Sequence, residues 1–253
     1  VTFRLDVLYV KIGGSLITPK REGRREVREE IIREISRDLN DIIGDFKIFL
    51  AHGAGPYGHD PVLKYRLHFG MSEANRRGAS ETMVSVSELN LAVAKIMSEE
   101  GIYVAPFPAR AVFMRERGMV KCQIPQIKEL MNSGFVPLTH GDLIPDTERG
   151  IYVLSADEIP LYLTGLGLRR AIYLIDLPGV LDEEGRVIPT VRREDLGSVT
   201  GIASSDATGS IRGKLERAFE VAEMGIDVRI AGYRGRGDLI NALTGKTGTR
   251  VLP

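Results

Sequence analysis

Two glycine-rich turns, each closing an apolar run, are the parts of this sequence best suited to chemistry. Phe46 to Ala51 runs into His52-Gly53-Ala54-Gly55-Pro56-Tyr57-Gly58-His59, and Leu5 to Ile12, with Lys11 near its end, runs into Gly13-Gly14-Ser15. Glycines at the end of a strand let backbone N–H groups approach an anion closely, because no Cβ stands in the way. The second turn also fits the dinucleotide pattern G-x-G-x-x-G. That pattern belongs after the first strand of its fold and asks for an acidic residue about 20 residues further on, at the end of a second strand. Here an earlier strand has its own glycine turn, and the window near residue 75 is polar. Two glycine turns on successive strands predict two phosphate sites that face each other.

Charged side chains fall beside these turns. Lys11 ends an otherwise apolar strand, where an ammonium needs a charged partner unless its stem packs and its amine reaches solvent. Lys20 on its own reads as a surface lysine. His59 can donate a hydrogen bond to an anion, whereas His52 reads as a structural hydrogen-bonding residue. Asp206-Ala-Thr-Gly209-Ser210-Ile-Arg-Gly-Lys214 opens a helix. It is either a phosphate cradle with Lys214 supplying charge or an ordinary helix start with a solvated lysine. It is not a Walker loop. Asp142 and Asp157 follow separate strands and can orient lysines, hold a metal ion or close a turn. Four histidines and Cys122 form no metal-ligand motif, so no dedicated protein metal site is expected.

Elements follow from periodicity. Strands are expected at Leu5–Ile12, Lys47–Ala51, Tyr103–Pro106, Phe135–His140, Ile151–Leu154, Ala171–Ile175, Asp227–Ala231 and Arg250–Leu252. Helices are expected at Arg25–Ile43, Met83–Ser98, Gln123–Asn132, Ala156–Leu163, Ser210–Met224 and Asp238–Leu243. This alternation predicts a mostly parallel sheet covered on both faces, with ligands at the carboxyl ends of its strands.

Composition narrows the class. The 253 residues suffice for one large α/β domain or two small ones, and 43% apolar content is enough for a core. Lys+Arg and Asp+Glu balance at 34 each, so no global basic field favours nucleic acid. A single cysteine excludes an internal disulfide. No apolar run reaches the length of a membrane span and no signal peptide precedes the first strand, so a cytoplasmic protein is expected.

Taken in order, K-I-G-G-S (11–15), H-G-A-G-P-Y-G-H (52–59), H-G-D (140–142), S-A-D (155–157), I-D-L-P-G-V (175–180) and D-A-T-G-S-I-R-G-K (206–214) resemble the amino acid kinase superfamily along nearly the whole chain. Within it the series is similar to the archaeal-type isopentenyl phosphate kinases. A histidine at the place of His59 separates that branch and the related fosfomycin kinases from acetylglutamate and uridylate kinases. The resemblance implies a three-layer αβα sandwich with an open, mostly parallel sheet, in one domain. Its acceptor-binding part would be roughly residues 1–150 and its nucleotide-binding part roughly 151–253. It further implies a homodimer, Mg²⁺, and transfer of the ATP γ-phosphate to isopentenyl phosphate.

Residue roles carry over by the same resemblance. Lys11, Lys20, His59, Asp157 and Lys214 are implied in catalysis. Gly13, Gly14, Ser15, Gly55, Asp176, Gly179, Gly209 and Ser210 are implied in ATP binding, together with Lys11 and Lys214. Ala54, Gly55, Gly58, His59, Gly141 and Asp142 are implied around the acceptor. The chain departs from the family pattern at Pro56, at Asp60 (an insertion before Pro61), and at Ala156, Pro178 and Ser210. A fosfomycin kinase-like or other small phosphate or phosphonate kinase would use the same residues. A nucleotide-binding regulatory module would not need Lys11, His59 and Lys214 together. The stripe Met83, Val86, Leu89 and Val93 is expected either to line the acceptor's hydrocarbon pocket or to be only core or dimer interface.

Overall fold

The computed structural model describes residues 5–19, 26–197 and 211–253. Its centre is an eight-stranded sheet of β1 (Val7–Ile12), β2 (Lys47–His52), β3 (Val104–Pro106), β6 (Val136–His140), β9 (Leu168–Ile175), β10 (Thr190–Arg192), β11 (Asp227–Gly232) and β12 (Thr249–Leu252). The strand order is β10-β12-β11-β9-β1-β2-β6-β3. The six strands from β11 to β3 are parallel, while β12 pairs antiparallel with β11 and parallel with β10. All six residues of β1 are buried, as a strand covered on both faces requires, and this is why it reads as an unbroken apolar run.

Each face of the sheet has its own helical layer. Leu8, Val10 and Ile12 pack with Ile32, Ile35 and Leu39 of α2 (Glu29–Ile42), with Val86, Leu89, Val93 and Met97 of α4 (Arg76–Glu99), and with Leu239 of α7 (Asp238–Leu243). Tyr9, Phe49 and Tyr173 face the other way. They join Ile127 and Met131 of α5 (Ile124–Asn132) and Leu215, Ala218 and Phe219 of α6 (Ile211–Glu223). The three-layer αβα arrangement read from the sequence is the one observed.

A second sheet was not anticipated. β4 (Phe113–Glu116), β5 (Met119–Cys122), β7 (Asp142–Asp146) and β8 (Gly150–Leu154) form it in the order β5-β4-β7-β8. Of its four short strands only β8 is expected from the sequence, as Ile151–Leu154; β4 and β5 are largely exposed or half-buried, and β7, though mostly buried, contains Pro145. The chain leaves the large sheet at His140 and enters the small one at Asp142, with Gly141 between. Leu143 and Ile151 of this sheet pack against Leu67 and Ala79 near the start of α4. Two short helices, α1 (Gly14–Ile17) and α3 (His59–Lys64), follow the glycine turns.

Other boundaries also differ from expectation. α2 starts at Glu29 rather than Arg25, because the Arg28 N–H is tied to the Ile17 carbonyl (2.8 Å). α4 starts seven residues before Met83. Its first turn is polar and contains Gly78, where a Cβ would lie 2.2 Å from the Tyr65 ring. The glycine is there for close packing, and with the polar residues around it leaves the first two turns of the helix without an apolar stripe. Ala156–Leu163 forms no α-helix. It is a turn followed by 3-10 segments at Ile159–Tyr162 and Thr164–Leu166, where Pro160 lacks an N–H and Gly167 closes the run at φ +78°.

Candidate active site

Strand register brings the chemistry together. Lys11 lies opposite Ala51 on one side and Tyr173 on the other, and His52 lies opposite both Ile12 and His140. β1, β2, β6 and β9 therefore end at one level. Their exits are stitched by backbone bonds from Gly13 N to Leu174 O (2.8 Å), Gly53 N to Ile12 O (2.9 Å) and Gly141 N to His52 O (3.1 Å). The two glycine turns press backbone against backbone. A Cβ on Gly14 would sit 2.6 Å from Gly55 N, and one on Gly53 would sit 2.7 Å from Gly14 N. Gly55 also takes φ +51°, with the Thr18 hydroxyl filling the space a side chain would need. The Thr18 hydroxyl itself donates to Gly14 O (2.6 Å).

Above these turns is a cavity of about 730 Å³. Lys11 is only 3% exposed, and its Nζ is 2.8 Å from Asp157 Oδ1. The Lys214 Nζ lies 4.0 Å from Asp157 Oδ2. Two ammonium groups thus share one carboxylate, leaving a net positive charge in a confined space. Burial pushes the Asp157 carboxyl up, but Lys11 and Lys214 outweigh it and hold the group below its ordinary pKa. The solvated-amine alternative for Lys11 does not apply. His59 borders the same cavity. Lost hydration first, then the charges of Lys214 and Lys11, lower its pKa, while Asp157 pulls in the opposite direction. Its imidazole is therefore neutral near pH 7 and offers one N–H.

The turn that presents Asp157 is held from several sides. Tyr9 on β1 donates its hydroxyl to Ala156 O (2.6 Å), and Tyr173 on β9 donates to Asp157 O (3.1 Å). Glu158 Oε1 accepts the Ser155 N–H (2.8 Å), and its Oε2 accepts the hydroxyls of Tyr152 (3.1 Å) and Tyr162 (3.2 Å). Burial raises the Glu158 pKa, and those donors counter it.

Most of the residues singled out in the sequence meet here. Lys11, Gly13, Gly14, Ser15, Ala54, Gly55, Gly58, His59, Gly141, Asp142, Asp157, Asp176 and Lys214 all line the one cavity. Lys20, Gly209 and Ser210 lie outside the described residues. Gly179 does not reach the cavity. A Cβ there would meet Thr249 Oγ1 at 2.9 Å, and the Thr249 hydroxyl accepts the Val180 N–H, so this glycine serves packing. The Asp142 carboxylate is already engaged by Arg110 Nη1 (2.8 and 3.0 Å), by Arg110 N (3.2 Å) and by Leu143 N (2.8 Å). It contributes structure to the wall rather than a free acceptor. Of the stripe on α4, only Val86 borders the cavity. Leu89 and Val93 are in the core, and Met83 packs into the small cluster around Leu67 and Leu143. The rest of the apolar wall, Val62, Leu143 and Val153, comes from α3 and the small sheet and went unrecognised. The apolar pair Leu143-Ile144 and the alternation of Ile151 and Val153 were the available signal.

The sequence profile of the amino acid kinase family matches residues 7–232. The chain belongs to the amino acid kinase family. Among its relatives, the isopentenyl phosphate kinase of Methanothermobacter thermautotrophicus is 26% identical over 263 residues, covering 97% of this chain and 98% of that protein. The isopentenyl phosphate kinase of Arabidopsis thaliana is 29% identical over 212 residues, covering 73% of this chain and 64% of that protein. A solved isopentenyl phosphate kinase structure superposes with TM-score 0.81 at 24% identity, covering 97% of this chain and 99% of that one.

This family member also buries two histidines beneath its glycine turns. The rings of His52 and His140 stack at 5.6 Å. His52 Nε2 pairs with Asn90 Oδ1 (3.1 Å), while His140 Nε2 is buried without a hydrogen-bond partner among the described residues. Burial, reinforced by His140, lowers His52 to about 3, and burial lowers His140 to about 4. Both folded values lie below the ordinary 6.5, so both rings are neutral in the fold. Their linkage contribution is intact above the unfolded pKa of about 6.5 and is lost as pH falls toward the folded values, because only the unfolded chain takes up the protons. The urea midpoint is expected to fall between pH 6.5 and 4, with a shallower fall in His52→Gln. Parallel slopes for the two proteins would remove the assigned cause.

Proposed function

We propose that this chain is an ATP-dependent isopentenyl phosphate kinase, making isopentenyl diphosphate and ADP. The observation that carries the reading is the cavity's two-part lining. Glycine turns, Lys11, Lys214 and His59 occupy one part, and Val62, Val86, Leu143 and Val153 form the other. Among the described lining residues the only lysines or arginines are Lys11 and Lys214. Among the described residues no further cation awaits the carboxylates of an amino acid acceptor. A phosphate on a short hydrocarbon suits both parts, and the names of the relatives agree.

The chemistry needs no strong base, because a phosphate monoester already presents an anionic oxygen. That oxygen attacks the γ-phosphorus, and the bond to the ADP oxygen breaks. The difficulty is bringing two anions together and stabilising the charge of the transition state. Asp157 holds Lys11 and Lys214 at that point before substrates arrive. First-turn N–H groups at Gly14 and Ser15 have no intrahelical acceptor and face the nucleotide phosphates. The Ala54–Gly55 backbone and the neutral His59 N–H hold the acceptor phosphate. Asp176 borders the cavity with no ion-pair partner among the described residues and is the carboxylate placed to meet a cation carried on ATP. Mg²⁺ binds through one or two carboxylates plus phosphate oxygens, so this donor set fits it. When bound, Mg²⁺ would neutralise phosphate charge. Homodimerisation and a cytoplasmic location belong to the same proposal; among the described residues no helix is long and apolar enough to cross a membrane.

A coupled ADP-release assay over isopentenyl phosphate, dimethylallyl phosphate, fosfomycin, uridylate and acetylglutamate should favour the alkyl phosphates. Turnover of acetylglutamate or uridylate without any alkyl phosphate sinks the reading, and preference for fosfomycin transfers it to a phosphonate kinase. His59→Ala should reduce kcat by about 10²–10³ while leaving Tm near wild type.

Tyr173→Phe should lower kcat about fivefold with KM for ATP unchanged, the size of one net hydrogen bond. In an Asp157→Asn background the same change should leave kcat alone and still lower Tm. Equal kcat losses in both backgrounds would mean the tyrosine does not act through Asp157.

Leu143→Ala and Val86→Ala should each raise the kcat/KM ratio of geranyl to isopentenyl phosphate severalfold, since each buried methylene is worth about 0.8 kcal/mol. Leu89→Ala, in the core, should lower Tm and leave that ratio unchanged. An unaltered ratio in both wall variants would place the hydrocarbon elsewhere.

A further inference from the structure

A second cavity, of about 600 Å³, opens toward the β10 edge of the large sheet, beside α7 and the β11–β12 pair. Its lining carries Arg229, Arg234, Lys246 and Arg250 against a single carboxylate, Asp238. That carboxylate is partly used, because its Oδ2 accepts the backbone N–H groups of Arg234 (2.8 Å) and Gly235 (3.2 Å).

Register makes the charge imbalance sharper. Arg229 on β11 lies directly opposite Arg250 on β12. Like charges placed directly across an antiparallel pair repel and destabilise it. Arg250 turns to Asp227 (3.0 Å). Arg229 is half-buried, and no carboxylate lies within ion-pairing distance of it among the described residues. Its guanidinium donates to Thr247 O at 3.3 Å. Burial lowers its pKa and the charge of Arg250 adds to that, with Asp227 opposing. Gly245, at φ +78°, keeps the space over the guanidinium clear, since a Cβ there would lie 3.3 Å from Arg229 Nη2.

Such an arrangement is stable at lower cost when an anion sits between the cations. Arg229, Arg234 and Lys246 have no carboxylate partner among the described residues, which matches a ligand bearing two or three negative charges. Guanidinium forks suit phosphate oxygens. Pro178, Val187 and Pro189 give the same cavity an apolar wall. We propose that this groove binds an organic diphosphate, its diphosphate between Arg229, Arg234 and Lys246 and its apolar body against Pro178, Val187 and Pro189.

The groove is distinct from the catalytic cavity but adjoins it. Asp176 and Leu177 border the catalytic cavity, whereas Pro178, the next residue, borders the groove. Gly232 lines the groove and presses on this loop, with its Cβ position 2.7 Å from both Leu177 O and Pro178 Cα.

Two sources of the ligand share this chemistry, a nucleoside diphosphate and an alkyl diphosphate. Calorimetric titration with ADP, isopentenyl diphosphate and inorganic pyrophosphate, with the active site held by a non-hydrolysable ATP analogue, separates them. At least one of the two esters should bind wild type, and Arg229→Met/Arg234→Met should weaken that binding about 10- to 100-fold, the range of a lost charge-assisted hydrogen bond. kcat and KM without the diphosphate should be unchanged, and Tm unchanged or higher, because a like-charge contact is relieved. Arg229→Lys should keep part of the affinity. The proposal is overturned if neither ester binds beyond the active site, if pyrophosphate alone binds, or if the double variant binds as tightly as wild type. None of these outcomes bears on the kinase assay.

Discussion

The buried pair between Lys11 and Asp157 is the constraint on which the site depends. A lysine 3% exposed at the end of a central strand is tolerated only beside a carboxylate, and removing one partner of such a pair costs about 3–5 kcal/mol. Asp157 comes from a turn far along the chain, so that turn must be held rigidly above β1. Tyr9 and Tyr173 do this from two neighbouring strands, and Glu158 does it from the turn itself. Once Asp157 is fixed, Lys214 on α6 comes under the same charge, and the two lysines acquire a defined separation without a substrate present.

The parallel sheet supplies the second constraint. Adjacent parallel strands end side by side, so the turns after β1 and β2 must cross within van der Waals distance. Gly14 and Gly53 are small because another backbone occupies the place of their side chains, and Gly55 because the Thr18 side chain does. The same closeness exposes N–H groups to a ligand, so packing and anion binding ask for the same residues. Beneath the turns the stacked His52 and His140 are kept neutral, which makes the platform sensitive to acid.

The small sheet divides the labour. Because Gly141 lets the chain pass directly from β6 into β7, Leu143 and Val153 stand beside the phosphate-binding end. Arg110 neutralises the buried Asp142 at that junction, so the wall stays apolar in effect despite an acid at its root. On the opposite flank, the loop from Asp176 to Pro178 separates the catalytic cavity from a cation-lined groove.

By itself the sequence determined the strands of the parallel core, the two glycine turns and most of the charged residues that line the cavity, though not Thr18, Asp60, Thr82 or Ser155. Burial on both faces forces unbroken apolar runs, and close backbone contact forces glycine, so both leave local marks. Tertiary structure decided what has no local mark. Lys11 reads equally well as solvated or buried until Asp157, 146 positions later, is brought to it. Gly179 sits in a motif that suggests ligand binding, yet it faces Thr249. Of the small sheet only β8 has a local mark, because β4 and β5 are four-residue, partly exposed strands and β7 holds Pro145; their pairing, and with it most of the apolar wall, is a tertiary outcome. Met83 and Val86 belong to one stripe, but the packing of β7 and β8 against α4 sends the first into a side cluster and leaves the second at the cavity. Periodicity specifies that a face is buried; only the neighbouring elements specify against what.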